Sequence, residues 1–93
     1  MIKSFRDKKT EALFHEGRVA RKWQAFAVVA RRKLVMLDAA ESLHDLKSPP
    51  NNRLEALKRD RAGQHAIRIN DQYRVCFRWQ RGHAYDVEIT DYH

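Results

Sequence analysis

Residues 67–89 read IRINDQYRVCFRWQRGHAYDVEI, and this stretch decides the fold. Apolar and polar side chains alternate along it, which is the pattern of a β-strand with one buried face. Turn residues at 70–72 and around Gly82 divide the stretch into three segments. The pattern therefore predicts three antiparallel strands, with the following residues on the buried face: Ile67, Ile69, Tyr73, Val75, Phe77, Trp79, Tyr85, Val87 and Ile89.

The pairing of the first two strands follows from this alternation. If Ile69 and Tyr73 share the buried face, the hairpin closes through residues 70–72, and Arg68 lies opposite Arg74. Two like charges directly across a strand pair repel unless an anion or a carboxylate lies between them. The sequence thus predicts an arginine pair on the polar face of the sheet.

The same parity assigns further charged residues to that face. Arg78 belongs to it, and so do Asp86, Glu88 and Thr90 if Trp79 lies opposite Tyr85 across the turn containing Gly82. Two interpretations remain open. The carboxylates could pair with the arginines as a solvated salt-bridge lattice, which contributes little energy per exposed pair. Alternatively, the arginines could bind phosphate, to which the planar guanidinium is suited.

The first half of the chain predicts helices. Residues 1–5 alternate weakly and suggest a short strand, and residues 7–16 form a helix that Ser4 or Asp7 caps and Gly17 ends. After a basic linker at 18–22, apolar residues recur at helical spacing from Trp23, which predicts a long amphipathic helix to about Leu46. Residues 53–58 are a weaker candidate for a fourth strand. The layout predicts one α+β domain over residues 1–93, with the long helix on one sheet face.

Charge and composition limit the possible partners. The chain of 93 residues carries a formal net charge of +7, which favours polyanions as partners without choosing between RNA, DNA and anionic membrane. Cys76 is the only cysteine, so a disulfide framework is excluded. Neither a signal peptide nor a membrane-spanning run of apolar residues is apparent, and we therefore expect a cytoplasmic protein without a membrane partner.

The available side chains favour one kind of chemistry. The five histidines are scattered without metal-ligand spacing, so we expect no metal and no other cofactor. RNA cleavage by attack of the ribose 2′-hydroxyl needs a base, an acid and cations, all of which side chains here can supply. The C-terminal Asp91, Tyr92 and His93 provide a carboxylate, a phenol and an imidazole directly after the last strand. Each of the three taken alone is more often structural than catalytic.

Three segments together resemble one family of bacterial proteins. They are MIKSF at 1–5, LEALKRDRAGQHAIRINDQYRVCFRW at 54–79 and EITDYH at 88–93, and they are similar to the HigB toxins of the RelE superfamily, also called plasmid-maintenance killer proteins. The resemblance implies a microbial-RNase-like α+β fold, in which two helices pack on a small, curved, mainly antiparallel sheet. It also implies mRNA cleavage in the ribosomal A site, neutralisation by a HigA-like helix-turn-helix antitoxin, and indirect contact with operator DNA through that antitoxin.

The resemblance also implies roles for residues. The terminal Asp91, Tyr92 and His93 match the family's catalytic motif, and Arg68 and Arg74 match its phosphate-binding arginines. Lys58 matches the basic residue of the family's LxxLK segment and is expected to bind substrate. We expect the same of Glu55 in that segment, and of Arg78, which strand parity places on the face of Arg68 and Arg74. Glu55 departs from the family pattern, because a well-known HigB has histidine at this position. The base and the acid therefore stay unassigned.

Two functions remain open on these grounds. The first is a ribosome-dependent, metal-independent mRNA endoribonuclease that acts as the toxin of a type II toxin-antitoxin system. The second is a non-catalytic basic module that binds RNA, DNA or a partner protein with the same fold. Charge and an arginine face serve both functions equally well.

Overall fold

A computed structural model describes residues 1–91, which form two α-helices and a four-stranded antiparallel sheet. The helices are α1, Lys8–Glu16, and α2, Ala27–Ala39. The strands are β1, Glu55–Ala56; β2, His65–Arg68; β3, Arg74–Gln80; and β4, His83–Thr90. They lie in the order β1-β2-β3-β4, so each strand pairs with its neighbour in sequence. The predicted α+β architecture is confirmed.

Helix α1 forms where the sequence predicts it. The Asp7 carboxylate accepts a hydrogen bond from the Thr10 amide at 2.6 Å, which satisfies an amide of the first turn. The chain leaves the helix at Gly17 with a φ of 68°, in the left-handed region that glycine adopts without steric cost. Asp7 is therefore the cap, and the alternative cap, Ser4, instead accepts a hydrogen bond from the Asp86 amide.

The long helix predicted from Trp23 to Leu46 is wrong at both ends. A 3-10 turn, Arg21–Trp23, precedes α2, and α2 ends at Ala39 because Ala40 adopts an extended conformation. Ser42 then begins a separate 3-10 turn, Leu43–Lys47. The Asp45 carboxylate accepts hydrogen bonds from the Glu41 and Ser42 amides, and these bonds lower its pKa. This capping box competes with helix continuation, which the apolar spacing alone does not reveal.

The sheet packs one face against both helices. The buried core joins α1 and α2 to that face, which we call the inner face; it includes Leu13, Leu34, Leu37, Ile67, Val75, Phe77, Val87 and Ile89. The opposite face, which we call the outer face, carries Arg68 and Arg74. The N-terminal segment adds single parallel bridges from Ile2 to Ala84 and from Phe5 to Val87, so the weak strand predicted at 1–5 is reduced to two isolated contacts.

The predicted register of the first hairpin is confirmed, whereas that of the second is wrong by one residue. Ile67 lies opposite Val75 and Arg68 opposite Arg74, as the alternation requires. Trp79, however, pairs with Ala84 instead of Tyr85. A bulge in β4 inserts an extra residue, and Asp86 there has a φ of 52°. The bulge shifts the pairing while keeping Val87 and Ile89 on the inner face.

Candidate functional site

On the outer face, residues that lie opposite one another on adjacent strands form rows across the sheet, and one such row joins three strands. Arg68 of β2 lies opposite Arg74 of β3, and Arg74 lies opposite Thr90 of β4. Residues directly opposite one another point to the same face of the sheet. Arg74 therefore lies beside the end of β4, where the chain continues into Asp91, and Arg68 lies on the other side of Arg74.

The turn between β2 and β3 binds both arginines. The Asn70 side chain first shapes this turn by accepting hydrogen bonds from the Gln72 amide at 2.9 Å and the Tyr73 amide at 2.7 Å. Arg74 donates to the backbone carbonyls of Asn70 and Tyr73. Arg68 forms an ion pair with Asp71, whose side chain is almost fully exposed. The turn thus fixes two cations at one end of the sheet.

Asp91 lies at the same end. Its carboxylate accepts a hydrogen bond from the Gln72 side chain at 3.0 Å, which connects the residue after β4 to the turn that holds the arginines. Three of the predicted catalytic residues, Arg68, Arg74 and Asp91, are therefore neighbours in the structure. The other two, Tyr92 and His93, lie outside the described residues.

The next row of the outer face contains a different ion-pair cluster. Glu88 lies opposite Cys76, and its carboxylate contacts Arg61 at 3.2 Å and Arg6 at 3.3 Å. Glu88 is only 13% exposed, so these contacts are partly shielded from water. The predicted salt-bridge lattice paired Glu88 with arginines of the strands. In the structure Glu88 instead pairs with two arginines that the strand pattern did not assign to this face. Arg61 and Arg6 lie in a loop and in the N-terminal segment, where periodicity gives no signal.

Cys76 lies in this second row, directly opposite Glu88. The thiol is fully buried, and this burial raises its pKa to about 11. Nearby charges alter the value further: Arg61 and Arg74 lower it, whereas Glu88 and Glu55 raise it. The Cys76 thiol is therefore protonated and shielded from water beneath the charged side chains of the outer face.

Of the predicted substrate-binding residues, Glu55 and Lys58 lie near this face at the sheet edge. Glu55 pairs with Ala66 in the register of β1 and β2. Lys58 is exposed and lines a cleft of about 250 Å³ formed by residues 57–61. The segment turns back on itself through a hydrogen bond from the Leu57 amide to the Gln64 carbonyl at 2.9 Å. Lys58 is thus exposed to solvent in the loop that follows β1.

Arg78 lies apart from the other predicted residues. Four residues along β3 correspond to about 13 Å, which separates Arg78 from Arg74 by more than one phosphate group. Its Nε atom is 3.7 Å from the Asp86 carboxylate, and its Nη1 atom packs against Gly63. The structure therefore does not bring Arg78 together with Arg68 and Arg74.

A further cation lies on α2. Lys33 of α2 is only 6% exposed and donates a hydrogen bond to the side chain of the buried Asn52. Burial lowers the pKa of Lys33, and the charges of Arg32 and Arg68 lower it further. The sequence does not predict that Lys33 is buried, because most lysines are exposed.

The described residues contain neither a metal-binding cluster nor a membrane-spanning helix. Within residues 1–91, no group of three or more His, Cys, Asp or Glu side chains is arranged to hold a metal ion. No helix in the same range is long and apolar enough to cross a membrane.

Comparison with known proteins gives consistent similarities. The model of a family described as the RelE-like toxin of the type II toxin-antitoxin system HigB matches residues 3–93. Toxin HigB-1 of Vibrio cholerae is 45% identical over 58 residues, which are 62% of this chain and 61% of that protein. Endoribonuclease HigB of Proteus vulgaris is 30% identical over 93 residues, which cover both chains completely.

Two further similarities are weaker. An uncharacterized protein of Haemophilus influenzae is 42% identical over 66% of this chain, and the matched part is 60% of its own length. The chain thus spans about three fifths of the Vibrio and Haemophilus relatives. Among solved structures, the YoeB/ParE toxin from Agrobacterium tumefaciens superposes with a TM-score of 0.49 at 19% identity, covering 96% of this chain and 99% of that one.

Proposed function

The chain belongs to the HigB family of RelE-like toxins of type II toxin-antitoxin systems, and from this membership we propose that it is an endoribonuclease that cuts mRNA on the ribosome. The full-length similarity to a protein named Endoribonuclease HigB supports the activity. A net charge of +7 suits a substrate that is a polyanion.

The proposed reaction is attack of a ribose 2′-hydroxyl on the adjacent phosphorus, which yields a cyclic phosphate and a free 5′-hydroxyl. It requires a base for the 2′ proton, an acid for the departing 5′ oxygen, and cations for the charge on the phosphoryl oxygens. Because the substrate carries its own nucleophile, we propose that side chains suffice and that no metal takes part.

The row formed by Arg68, Arg74 and Thr90 carries this proposal. It places Arg74 beside Thr90, the residue that precedes Asp91, and Arg68 beside Arg74. We assign Arg68 and Arg74 to the phosphoryl oxygens, since a guanidinium binds phosphate through two parallel hydrogen bonds. We assign proton transfer to His93 assisted by Asp91, and stacking on a base or its positioning to Tyr92.

The remaining predicted residues have supporting roles in the proposal. Lys58 lies exposed at the cleft of residues 57–61 and would contact a flanking phosphate. Glu55 lies at the edge of the same face and would accept a proton or a hydrogen bond from the RNA. Arg78, which lies farther along β3, would contact a more distant nucleotide or the ribosome.

We further propose the partners of the chain. Membership of a type II family implies an antitoxin protein, and we propose a HigA-like helix-turn-helix antitoxin that also links the toxin to operator DNA. The substrate would be mRNA in the ribosomal A site, which places the protein in the cytoplasm.

Mapping of RNA 5′ ends in a reconstituted translation reaction tests the activity. We expect the wild-type protein to produce cuts within translated codons that disappear when the nucleotide 5′ to the cut carries a 2′-deoxyribose. Arg74→Ala and His93→Ala should each lower the cleavage rate by at least about 100-fold, because each removes a group that acts in the transition state.

The matched control is Arg32→Ala, which removes the same charge as Arg74→Ala from the exposed surface of α2. This variant should cleave like the wild type, and circular dichroism should show all three variants folded. Full cleavage by Arg74→Ala and His93→Ala would contradict the assigned site. Ribosomes that stall on uncut transcripts would instead support a non-catalytic binding module.

A further inference from the structure

A groove with an apolar floor runs along the exposed side of α1. It has a volume of about 630 Å³ and lies between the helix and the segment 18–22 that returns beside it. Ala12, Val19 and Ala20 form its floor, and Val19 is 37% exposed. A second cavity of about 360 Å³ continues the groove along α1 past His15 and shares Lys8, Ala12 and Arg18 with the first. Its lining is mixed in charge, because it also includes Glu11 and Glu16. A continuous surface therefore follows the whole helix.

The rim of the larger cavity is entirely basic. Five of its eight lining residues are cations, and none is acidic; the cations are Lys8, Lys9, Arg18, Arg21 and Lys22. All five side chains are exposed. Arg18 already pairs with Glu16 at 3.4 Å, so a ligand carboxylate near this rim would gain chiefly from the other four positive charges. The larger cavity is therefore complementary to an acidic ligand.

The combination of floor and rim favours one class of partner. RNA would match the basic rim, but unpaired bases bind by stacking on aromatic side chains, and the lining of this cavity has none. An amphipathic protein helix supplies both features, with apolar residues on one side and carboxylates beside them. Helix α1 has nine residues and is about 14 Å long, which corresponds to two to three turns of a partner helix laid alongside it.

We propose that this groove binds an acidic amphipathic segment of the antitoxin. The inference rests on the proposed function only in taking the antitoxin to be the partner protein. Apolar side chains of the segment cover Val19 and Ala12, and its carboxylates pair with the rim. Exclusion of water from the floor provides most of the affinity, and the charges provide specificity and fast association.

The groove is separate from the candidate active site. It lies on α1, which packs against the inner face, whereas Arg68 and Arg74 lie on the outer face. Changes in the groove should therefore alter antitoxin binding without altering cleavage. This separation makes the two properties measurable independently.

The first test compares two double variants by calorimetric titration with the purified antitoxin. Val19→Glu with Lys22→Glu places negative charge on the floor and the rim of the groove. Val35→Glu with Arg32→Glu makes the same change on α2, where Val35 is 53% exposed. We expect the groove variant to raise the Kd by at least about 30-fold, as loss of a central anchor does. The α2 variant should bind like the wild type.

A second groove variant and a cleavage assay serve as controls for misfolding and for effects on activity. Arg21→Ala with Lys22→Ala removes rim charge without adding any, and it provides a second groove variant if the first does not fold. It should weaken binding at low salt and lose its effect at high salt, because exposed charges are screened. Each variant is also assayed for mRNA cleavage without antitoxin, where both groove variants should cleave at the wild-type rate.

A crosslink identifies the bound segment directly. A photoreactive maleimide attached to Val19→Cys should label the antitoxin, since the native Cys76 is fully buried and protected. Mass spectrometry should place the crosslink in an acidic amphipathic stretch. A crosslink to a basic or wholly polar stretch would overturn the proposal.

The remaining outcomes also separate the two proposals. Loss of antitoxin binding in the α2 variant alone would overturn the groove assignment. Loss of cleavage with intact antitoxin binding would mean that the groove contacts RNA or the ribosome, which also overturns it. Absence of cleavage by the wild-type protein would contradict the proposed function but leave the antitoxin measurements valid.

Discussion

Arg68 and Arg74 lie directly opposite each other on β2 and β3, although both side chains are positively charged. Such a pair is unfavourable by itself. Here the adjacent turn offsets the repulsion, because Arg68 pairs with Asp71 and Arg74 donates to two backbone carbonyls. One of the two cations therefore depends on a carboxylate that is exposed and easily displaced, as a site for phosphate would require.

Asp71→Asn tests whether an anion can replace the carboxylate that pairs with Arg68. We expect the free energy of unfolding to fall by less than about 1 kcal/mol in sodium chloride, because the Asp71 side chain is exposed. Sulfate or phosphate at equal ionic strength should restore this loss, since an anion that binds only the folded state stabilises it. Urea denaturation in the two salts measures both effects.

The control for general salt effects is Asp60→Asn, which removes another exposed carboxylate, from the 3-10 turn Arg59–Arg61. Sulfate should stabilise this variant only as much as the wild type. If Asp71→Asn gains no more from sulfate than Asp60→Asn does, the two arginines do not form an anion site.

The pairing of Arg68 with Arg74 could be predicted because the residues of the hairpin alone determine its register. The alternation of Ile67, Ile69, Tyr73 and Val75 requires one buried face, and a shift of one residue would expose all of them. The cap of α1 is equally local, since Asp7, Thr10 and Gly17 lie within about three turns of chain. The sequence therefore predicts the first hairpin and the first helix with nearly correct ends.

The errors occurred where distant groups or backbone strain decide the structure. The Trp79–Tyr85 pairing failed because Asp86 takes a positive φ, which the alternation of side chains does not reveal. The cluster of Glu88 with Arg6 and Arg61 joins residues up to 82 positions apart, from Arg6 to Glu88, so no spacing rule could predict it. Helix α2 ends at a competing capping box that its apolar period does not show.

The Arg61–Glu88 pair should contribute more to stability than an ordinary surface pair. Glu88 is 13% and Arg61 25% exposed, so solvent screens this contact less than the Arg18–Glu16 pair, whose side chains are 75% and 54% exposed. A double-mutant cycle with Arg61→Ala and Glu88→Gln should give a coupling free energy of about 1–2 kcal/mol.

The same cycle with Arg18→Ala and Glu16→Gln provides the comparison. Its coupling should stay below about 0.5 kcal/mol and vanish at 1 M salt. Equal coupling in the two cycles would mean that the partial burial of Glu88 does not strengthen its contacts.

Gly63 allows Arg78 to lie close to the backbone. Its φ is 90°, and a Cβ atom there would lie 2.9 Å from the Arg78 Nη1 atom. Gly63→Ala should therefore reduce the free energy of unfolding by about 1–3 kcal/mol, partly from backbone strain and partly from the displaced guanidinium. In an Arg78→Ala background the second part disappears, and the substitution should cost measurably less.

Gly17→Ala distinguishes strain from contact. Gly17 also has a positive φ, 68°, but its Cβ would meet Arg31 at an ordinary 3.4 Å, far from Arg78. Its cost should be the same in the wild-type and Arg78→Ala backgrounds. Additive costs for Gly63→Ala and Arg78→Ala would contradict the close contact between these residues.

The buried thiol of Cys76 predicts how stability changes at alkaline pH. Its pKa is about 11 in the folded protein, against an ordinary value of 9.0. The unfolded chain therefore loses the thiol proton at a lower pH, and between these values the unfolded state binds fewer protons. The stabilising contribution of the protonated thiol is complete below pH 9 and is lost as the pH rises towards 11.

Cys76→Ala separates this effect from the titration of other groups, because tyrosines and lysines titrate equally in both proteins. Below pH 9 the wild type should be more stable, since the variant leaves a small cavity between Ala66 and Glu88. At pH 10.5 the advantage of the wild type should shrink by about 2 kcal/mol, because each unit of pKa difference corresponds to about 1.4 kcal/mol. Urea denaturation at pH 8 and 10.5 measures the difference in the free energy of unfolding between the two proteins. An equal difference at both pH values would show that water reaches the thiol past the charged side chains of the outer face.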